Sequence, residues 1–143
     1  MRVALGAVLG YVIVAVLVMA AETIAYVLLG ADGAFRPGTF EVSRQWIAVS
    51  LTISLAAAVA GGWSAAAVGG RRAATALALL VLVLGLAFAV PALTAPRRDP
   101  RPRVGNVPNT DAMRQAEQPI WVVVSTPLIG AAGVLLGARL RKS

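Results

Sequence analysis

The chain has 143 residues, of which 59% are hydrophobic and 13% are charged, with a net charge of +7 and a mean hydropathy of +0.81. Soluble domains carry about a quarter charged residues, so this composition favours an integral membrane protein and leaves no room for a separate soluble domain. The sequence contains no Cys and no His, which excludes disulfides, Cys- or His-ligated haem, iron–sulfur clusters, most zinc sites and Ser-His-Asp catalysis. We therefore expect no metal, no cofactor and no enzymatic activity.

Four long apolar runs account for most of the chain, and they cover about residues 3–29, 46–68, 73–95 and 120–138. A helix needs roughly 20 apolar residues to cross the ~30 Å hydrocarbon core of a bilayer, and each run meets or approaches that length. The sequence therefore predicts an all-α fold: one transmembrane domain over residues 1–143, in which four helices form an integral membrane bundle.

The first run begins like a signal peptide, with Arg2 before an apolar stretch and small residues around Ala20 that resemble a cleavage site. The apolar run continues past that point to Leu29, whereas a signal peptide stops after a short stretch. We expect an uncleaved first helix.

The three connections differ in character. Residues 30–45 contain two turn signals, Asp32-Gly33 and Pro37-Gly38, and Ser43 is placed to cap the second helix. Residues 69–72 are short enough for a tight antiparallel helical hairpin. Residues 96–119 begin with a Pro/Arg-rich stretch that cannot be helical and end with a predicted short surface helix near residues 110–118. The arginines of that stretch either hold acidic headgroups or an acidic partner segment, or belong to a solvated linker.

Orientation follows from the placement of basic and aromatic residues. Arg2 precedes the first helix, which usually dominates topology, and Trp46 and Trp121 then start two spans at the same outer interface. We expect both termini in the cytoplasm and the arginines against lipid headgroups, with no nucleic-acid partner. The excess of Arg over Lys and the richness in Ala, Gly and Val are typical of a high-GC bacterial genome, so the expected location is the bacterial cytoplasmic (inner) membrane.

A faint internal repeat pairs residues 46–50 with residues 121–125, 75 positions apart, and Val8-Leu9-Gly10 with residues 83–85 at the same spacing. Duplication would give two parallel helical-hairpin repeats related by an axis along the membrane normal. Two alternatives stay open: chance matching among small apolar residues, and spans that simply start with Trp at one interface.

Glu22 is the one ionisable side chain well inside an apolar run. Because a carboxylate is costly in hydrocarbon, Glu22 should face the bundle or a polar cavity. One interpretation is an ion, proton or ligand site that comprises Glu22, Tyr11 on the same helical face, Ser50 and Ser54. The alternative is a structural carboxyl near the outer interface that hydrogen-bonds Ser50, Thr52 or Ser54, or pairs with Arg44.

Small residues recur along single faces of the predicted helices, which lets helix backbones approach closely where no hydrophobic effect acts between helices. We expect packing contacts at six glycines: Gly6, Gly10, Gly61, Gly130, Gly133 and Gly137. The spacing of the last two glycines would serve self-association equally well.

Two fragments resemble the small multidrug resistance transporters: residues 17–22, which end in Glu22, and residues 132–136 in the last helix. The resemblance is one of analogy, and the first and third connections of this chain are longer than the tight loops of that family. It implies that the first-helix carboxylate exchanges drug cations for protons and that the last helix dimerises through small residues.

Two functional hypotheses follow. The first is a non-enzymatic membrane protein that acts by helix association, as an accessory subunit, an assembly factor or a homo-oligomer, with lipid, another membrane protein or its own copy as partner. The second is a small proton- or cation-coupled transporter that uses Glu22 as its intramembrane carboxylate.

Overall fold

The computed structural model describes residues 1–96 and 99–141, and it contains four helices in that part of the chain. They are α1 (Arg2–Ala34), α2 (Arg44–Thr94), α3 (Asn109–Gln115) and α4 (Ile120–Leu140). Three of them, α1, α2 and α4, are long and apolar enough to cross a membrane. The predicted all-helical fold is confirmed, and the predicted spans 46–68 and 73–95 correspond to the two parts of α2, which ends at Thr94.

α2 reverses direction at Gly70. Its 51 residues would extend about 76 Å as a straight helix, but Gly70 has φ 71° and ψ −169°, a conformation that glycine adopts without steric cost. Gly61 and Leu77, which lie on opposite sides of this turn, both approach Gly10 of α1. α2 is therefore an antiparallel hairpin, with a first arm over residues 44–69 and a second arm over residues 71–94.

The hairpin is held by small side chains. The buried core cluster consists almost wholly of alanines from both arms, joined by Leu77 and by residues of α1 and α4. Leu77 and Val134 are the largest side chains that are completely buried. The helices are held by the close approach of their backbones and not by the burial of large side chains. This is usual in lipid, where no hydrophobic effect drives helices together.

α1 and α4 lie on either side of this hairpin. Each contacts α2, and within residues 1–96 and 99–141 they do not contact each other. All six glycines named above are buried, and a Cβ built on any of them would press against a neighbouring helix. Gly133 and Gly137 face Ala58 and Val59 of the first arm, so their small-residue surface is occupied within the chain.

The outward faces of the long helices carry large apolar side chains. Val27, Leu79 and Phe88 are between 58% and 78% exposed, and many other large apolar side chains of these helices are exposed as well. Such a surface is suited to contact with lipid and not with water.

Some helix ends differ from the predicted ones. α1 continues beyond residue 29, because the chain turns at Gly30 (φ 67°) and forms one more helical turn up to Ala34. α3 ends at Gln115, three residues before the predicted end. The reason is that Glu117 takes part in extended pairing: its N–H donates to the Phe40 carbonyl at 2.9 Å, and its carbonyl accepts from Val42.

The two long connections pack together into a compact unit, which we call the cap and define as residues 30–43 and 99–119. Isolated antiparallel bridges join Phe35 to Val42 and Thr39 to Pro102. Its apolar centre contains Phe35, Phe40 and Val42, with Tyr26 from α1 and Ala112 from α3. Ser43 caps α2 as predicted, since its hydroxyl accepts from the Trp46 N–H at 3.0 Å.

Candidate functional site

Glu22 lies on α1 directly below the cap, and its carboxylate is half-buried. The Ser50 hydroxyl of the first arm donates to Oε1 of Glu22 at 2.5 Å. The Thr52 hydroxyl instead bonds the carbonyl of Ala48 in its own helix. Glu22 and Ser50 thus form a polar contact between α1 and the first arm.

A cavity of about 170 Å³ separates Glu22 from the cap, and we call it the cap cavity. Its walls carry one carboxylate, two side-chain amides and three aromatic rings, together with apolar residues of α3. The lining residues are Glu22, Tyr26, Ala34, Phe35, Trp46, Asn109, Ala112, Met113, Ala116 and Gln118. This combination provides hydrogen-bond donors and acceptors beside aromatic faces, with Glu22 as its only Asp, Glu, Arg or Lys.

The four residues of the predicted site do not gather at one place. Glu22 and Ser50 are in contact, but Ser54 lies one turn further into the helices and lines a different cavity. Tyr11 is 36% exposed and lines neither cavity. Its neighbour Gly10 faces the α2 hairpin, and successive residues on a helix point about 100° apart, so Tyr11 is turned toward the outer surface.

The second cavity, which we call the lateral groove, has a volume of about 320 Å³ and is open along one side. It exists because α1 and α4 leave a gap between them over one face of the α2 hairpin. The lining is apolar apart from Ser54, Thr126 and Gln118. The remaining residues are Val14, Val18, Ala58, Val81, Gly85, Phe88, Ala89, Val123, Pro127 and Gly130.

Hydrogen bonds across long sequence distances tie residues 99–119 of the cap to α1. The Tyr26 hydroxyl donates to the Val107 carbonyl at 2.6 Å, and the Ala31 N–H donates to the side chain of Asn106 at 3.3 Å. The side-chain amide of Asn109 donates to the Thr23 hydroxyl at 3.3 Å. The Tyr26 and Trp46 rings meet edge to face with centroids 6.1 Å apart. The roof of the cap cavity is therefore held in a defined position above Glu22.

Arg103 is the central polar residue of the cap, and its sequence neighbours do not distinguish it from the other arginines of the stretch. It is only 7% exposed. Its guanidinium donates to the carbonyls of Thr39 and Gly105 and pairs with Asp32 at 2.9 Å. It also lies over the Phe35 ring, 5.8 Å from the centroid.

The described part of the Pro/Arg stretch is therefore bonded to the rest of the cap, although the Arg101 side chain stays exposed. Arg101 pairs with Glu117 at 3.4 Å, and its carbonyl accepts from the Phe40 N–H. Arg97 and Arg98 lie outside the described residues.

The two cavities meet at Gln118, which lines both. On α1 they follow one another along a single face, since Val14 and Val18 line the lateral groove and Glu22 lines the cap cavity. The arrangement can hold an apolar group between the helices and a hydrogen-bonding or cationic group beside it. No protein-family model, no curated protein and no solved structure matches this chain.

Proposed function

We propose that the chain is a non-enzymatic four-helix integral membrane protein of the bacterial cytoplasmic membrane that acts by association with another membrane helix. α1, the two arms of α2 and α4 are the four spans in this proposal, and both termini and the Gly70 turn face the cytoplasm. The apolar outer faces of these helices and the reversal at Gly70 support it.

The lateral groove is the observation that carries this proposal. Its lining is apolar apart from three residues, and its volume of about 320 Å³ leaves room for an apolar side chain from outside. Phe88 stands at the edge of the groove and is 78% exposed. A protrusion and a recess on the same surface suit an isologous contact, in which each of two copies inserts its residue into the other. The partner we propose is a second copy of this chain.

Self-association in lipid nanodiscs or detergent tests this proposal. We expect Phe88→Ala to shift the chain from dimer toward monomer, because the recess of the partner loses the ring that fills it. Leu79→Ala is the matched control: Leu79 lies on the same arm and is 58% exposed, but it does not line the groove. A wild-type chain that stays monomeric, or equal dimer fractions for both variants, would reject the proposal that two copies associate through the lateral groove.

A second candidate function, a proton- or cation-coupled transporter, is favoured by one observation. Glu22 lines a cavity, and the lateral groove between the helices shares Gln118 with that cavity. In reconstituted vesicles we expect Glu22→Gln to abolish pH-dependent binding and flux of lipophilic cations, while Asp99→Asn, which alters an exposed carboxylate elsewhere, leaves them unchanged. Unaltered flux in a correctly folded Glu22→Gln protein rejects this function.

We also propose that the chain is a tandem repeat of two parallel hairpins. Its support is a reciprocal contact between the first arm and α4: Gly62 approaches the backbone of Val134, and Gly137 approaches the backbone of Val59. Gly62 and Gly137 are 75 positions apart, and so are Val59 and Val134. The two contacts therefore exchange equivalent positions, as a two-fold relation requires. The hairpins α1–first arm and second arm–α4 would then be the two units.

A further inference from the structure

The two ends of the helices differ sharply in charge. All six acidic residues of the sequence lie in the cap or, for Glu22, directly beneath it. The opposite end, where the Gly70 turn meets the start of α1 and the end of α4, carries arginines without any acid. Its described basic residues are Arg2, Arg71, Arg72, Arg139 and Arg141.

Two cavities lie at this end and share Arg71 and Ala138. The larger, about 340 Å³, is lined by Arg71, Ala74, Thr75, Leu135, Ala138 and Arg139. The smaller, about 200 Å³, lies toward the turn and is lined by Arg71, Arg141, Ala66, Gly70 and Ala138. Each cavity therefore has two arginines on its wall, and Arg71 stands between them.

Among the described residues, none accepts a hydrogen bond from the arginines of the larger cavity. The Arg141 guanidinium donates to the Ala66 carbonyl and ties the end of α4 to the end of the first arm. Within residues 1–96 and 99–141, neither Arg71 nor Arg139 makes a side-chain hydrogen bond or an ion pair. Arg71 also begins the second arm, whose first N–H groups lack helical partners and favour an anion.

The wall of the larger cavity changes from basic to apolar along α4. Leu135 lies one turn from Arg139 toward the middle of the helix and is 43% exposed. A ligand whose anionic group meets the arginines would therefore have its hydrocarbon beside Leu135. That is the shape of a phospholipid and not of a free anion.

We propose that these paired cavities bind an anionic phospholipid whose headgroup carries two phosphates, one in each cavity, with Arg71 between them. The proposal rests on the membrane location proposed above. Arg139 binds the first phosphate, and the donors of Arg141 that Ala66 does not use bind the second. Guanidinium groups suit phosphate oxygens because they offer several N–H donors in one plane. Basic pockets between membrane helices commonly bind such headgroups.

Native mass spectrometry of the full chain, titrated with lipid in detergent, tests this site. The probes are diphosphatidylglycerol, phosphatidylglycerol and inorganic phosphate. We expect one retained diphosphatidylglycerol per chain, weaker retention of phosphatidylglycerol at equal phosphate concentration, and none of inorganic phosphate.

The variants separate the cavities from general surface charge. Arg71→Gln and Arg139→Gln should each weaken diphosphatidylglycerol binding about fivefold, from roughly 1 kcal/mol per basic residue at a membrane surface. Arg72→Gln is the matched control, because Arg72 is an exposed neighbour that lines neither cavity, and its effect should be clearly smaller. Equal losses for Arg71→Gln and Arg72→Gln, equal binding of both lipids, or binding of free phosphate overturn the proposal. If the chain needs detergent to stay in solution yet binds no lipid, only the proposed lipid site is rejected. If it stays in solution without detergent, the proposed membrane location is rejected as well.

Discussion

The helical core and the cap are held together by opposite means. The core is built from alanine and glycine, with backbones in close contact, whereas the cap is built from aromatic rings and from hydrogen bonds around one buried arginine. Between lipid-embedded helices, packing distance is the available source of stability. A small unit in water needs large buried side chains and satisfied polar groups. The composition of each region is therefore the one suited to its surroundings, which are lipid for the helical core and water for the cap.

The largest effect should come from filling the closest helix contact. We expect Gly62→Ala to cost about 1–3 kcal/mol, because the added methyl group overlaps the backbone of Val134, which cannot move aside as a side chain would. Thermal unfolding in detergent measures the loss. Ala67→Val is the control, since Ala67 lies on the same arm and is exposed. Equal stability of both variants would mean that close packing does not hold the core.

A loss of similar or smaller size, confined to the cap, should follow Arg103→Met. This change removes the hydrogen bonds of the guanidinium to Thr39 and Gly105 and its pair with Asp32. We expect a net loss of about 1.5–3 kcal/mol for the whole change, because the freed groups at Gly105 and Asp32 are exposed to water. Hydrogen exchange should accelerate at residues 36–43 and 101–105 and remain slow in the long helices. Arg101→Met, which removes an exposed pair of about 0–1 kcal/mol, should change little. Exchange that accelerates everywhere would show that cap and core are one cooperative unit.

The smallest effect should come from Tyr26→Phe, which removes the hydrogen bond to Val107 but keeps the ring against Trp46. We expect a cost of about 1 kcal/mol, seen as faster exchange near residue 107. Tyr11→Phe is a suitable control, because Tyr11 lies on the outer surface. If both changes have the same effect, the Tyr26 hydroxyl does not fix the cap.

The helices could be predicted well because a long apolar run that crosses a membrane satisfies its backbone hydrogen bonds as a helix. The turn at residues 69–72 was indicated by two glycines followed by two arginines. The buried glycines followed from spacing alone. The predicted bounds failed where tertiary contacts decide them, as at Glu117, which pairs with Phe40 and Val42 of the first connection instead of continuing α3.

The cap and most of the site could not be predicted, because their partners are far apart in the sequence. Arg103 reaches Asp32 across 71 positions, and nothing in its own neighbourhood distinguishes it from the arginines beside it. Ser50 was one of three residues, with Thr52 and Ser54, whose hydroxyl could have bonded Glu22, and the sequence did not decide among them. Helical spacing also placed Tyr11 with Glu22, but Gly10 decides which face of α1 packs inward.

The proposed topology, in which the long helices cross the membrane and α2 reverses at Gly70, places the cap and the turn on opposite sides. The native chain has no Cys, which makes single-cysteine labelling in intact cells direct. Val104→Cys, at a cap residue that is 93% exposed, should react with a membrane-impermeant maleimide from outside. Arg72→Cys, at the turn, should react only after the cells are permeabilised. Labelling of both positions from the same side of the membrane would contradict this topology.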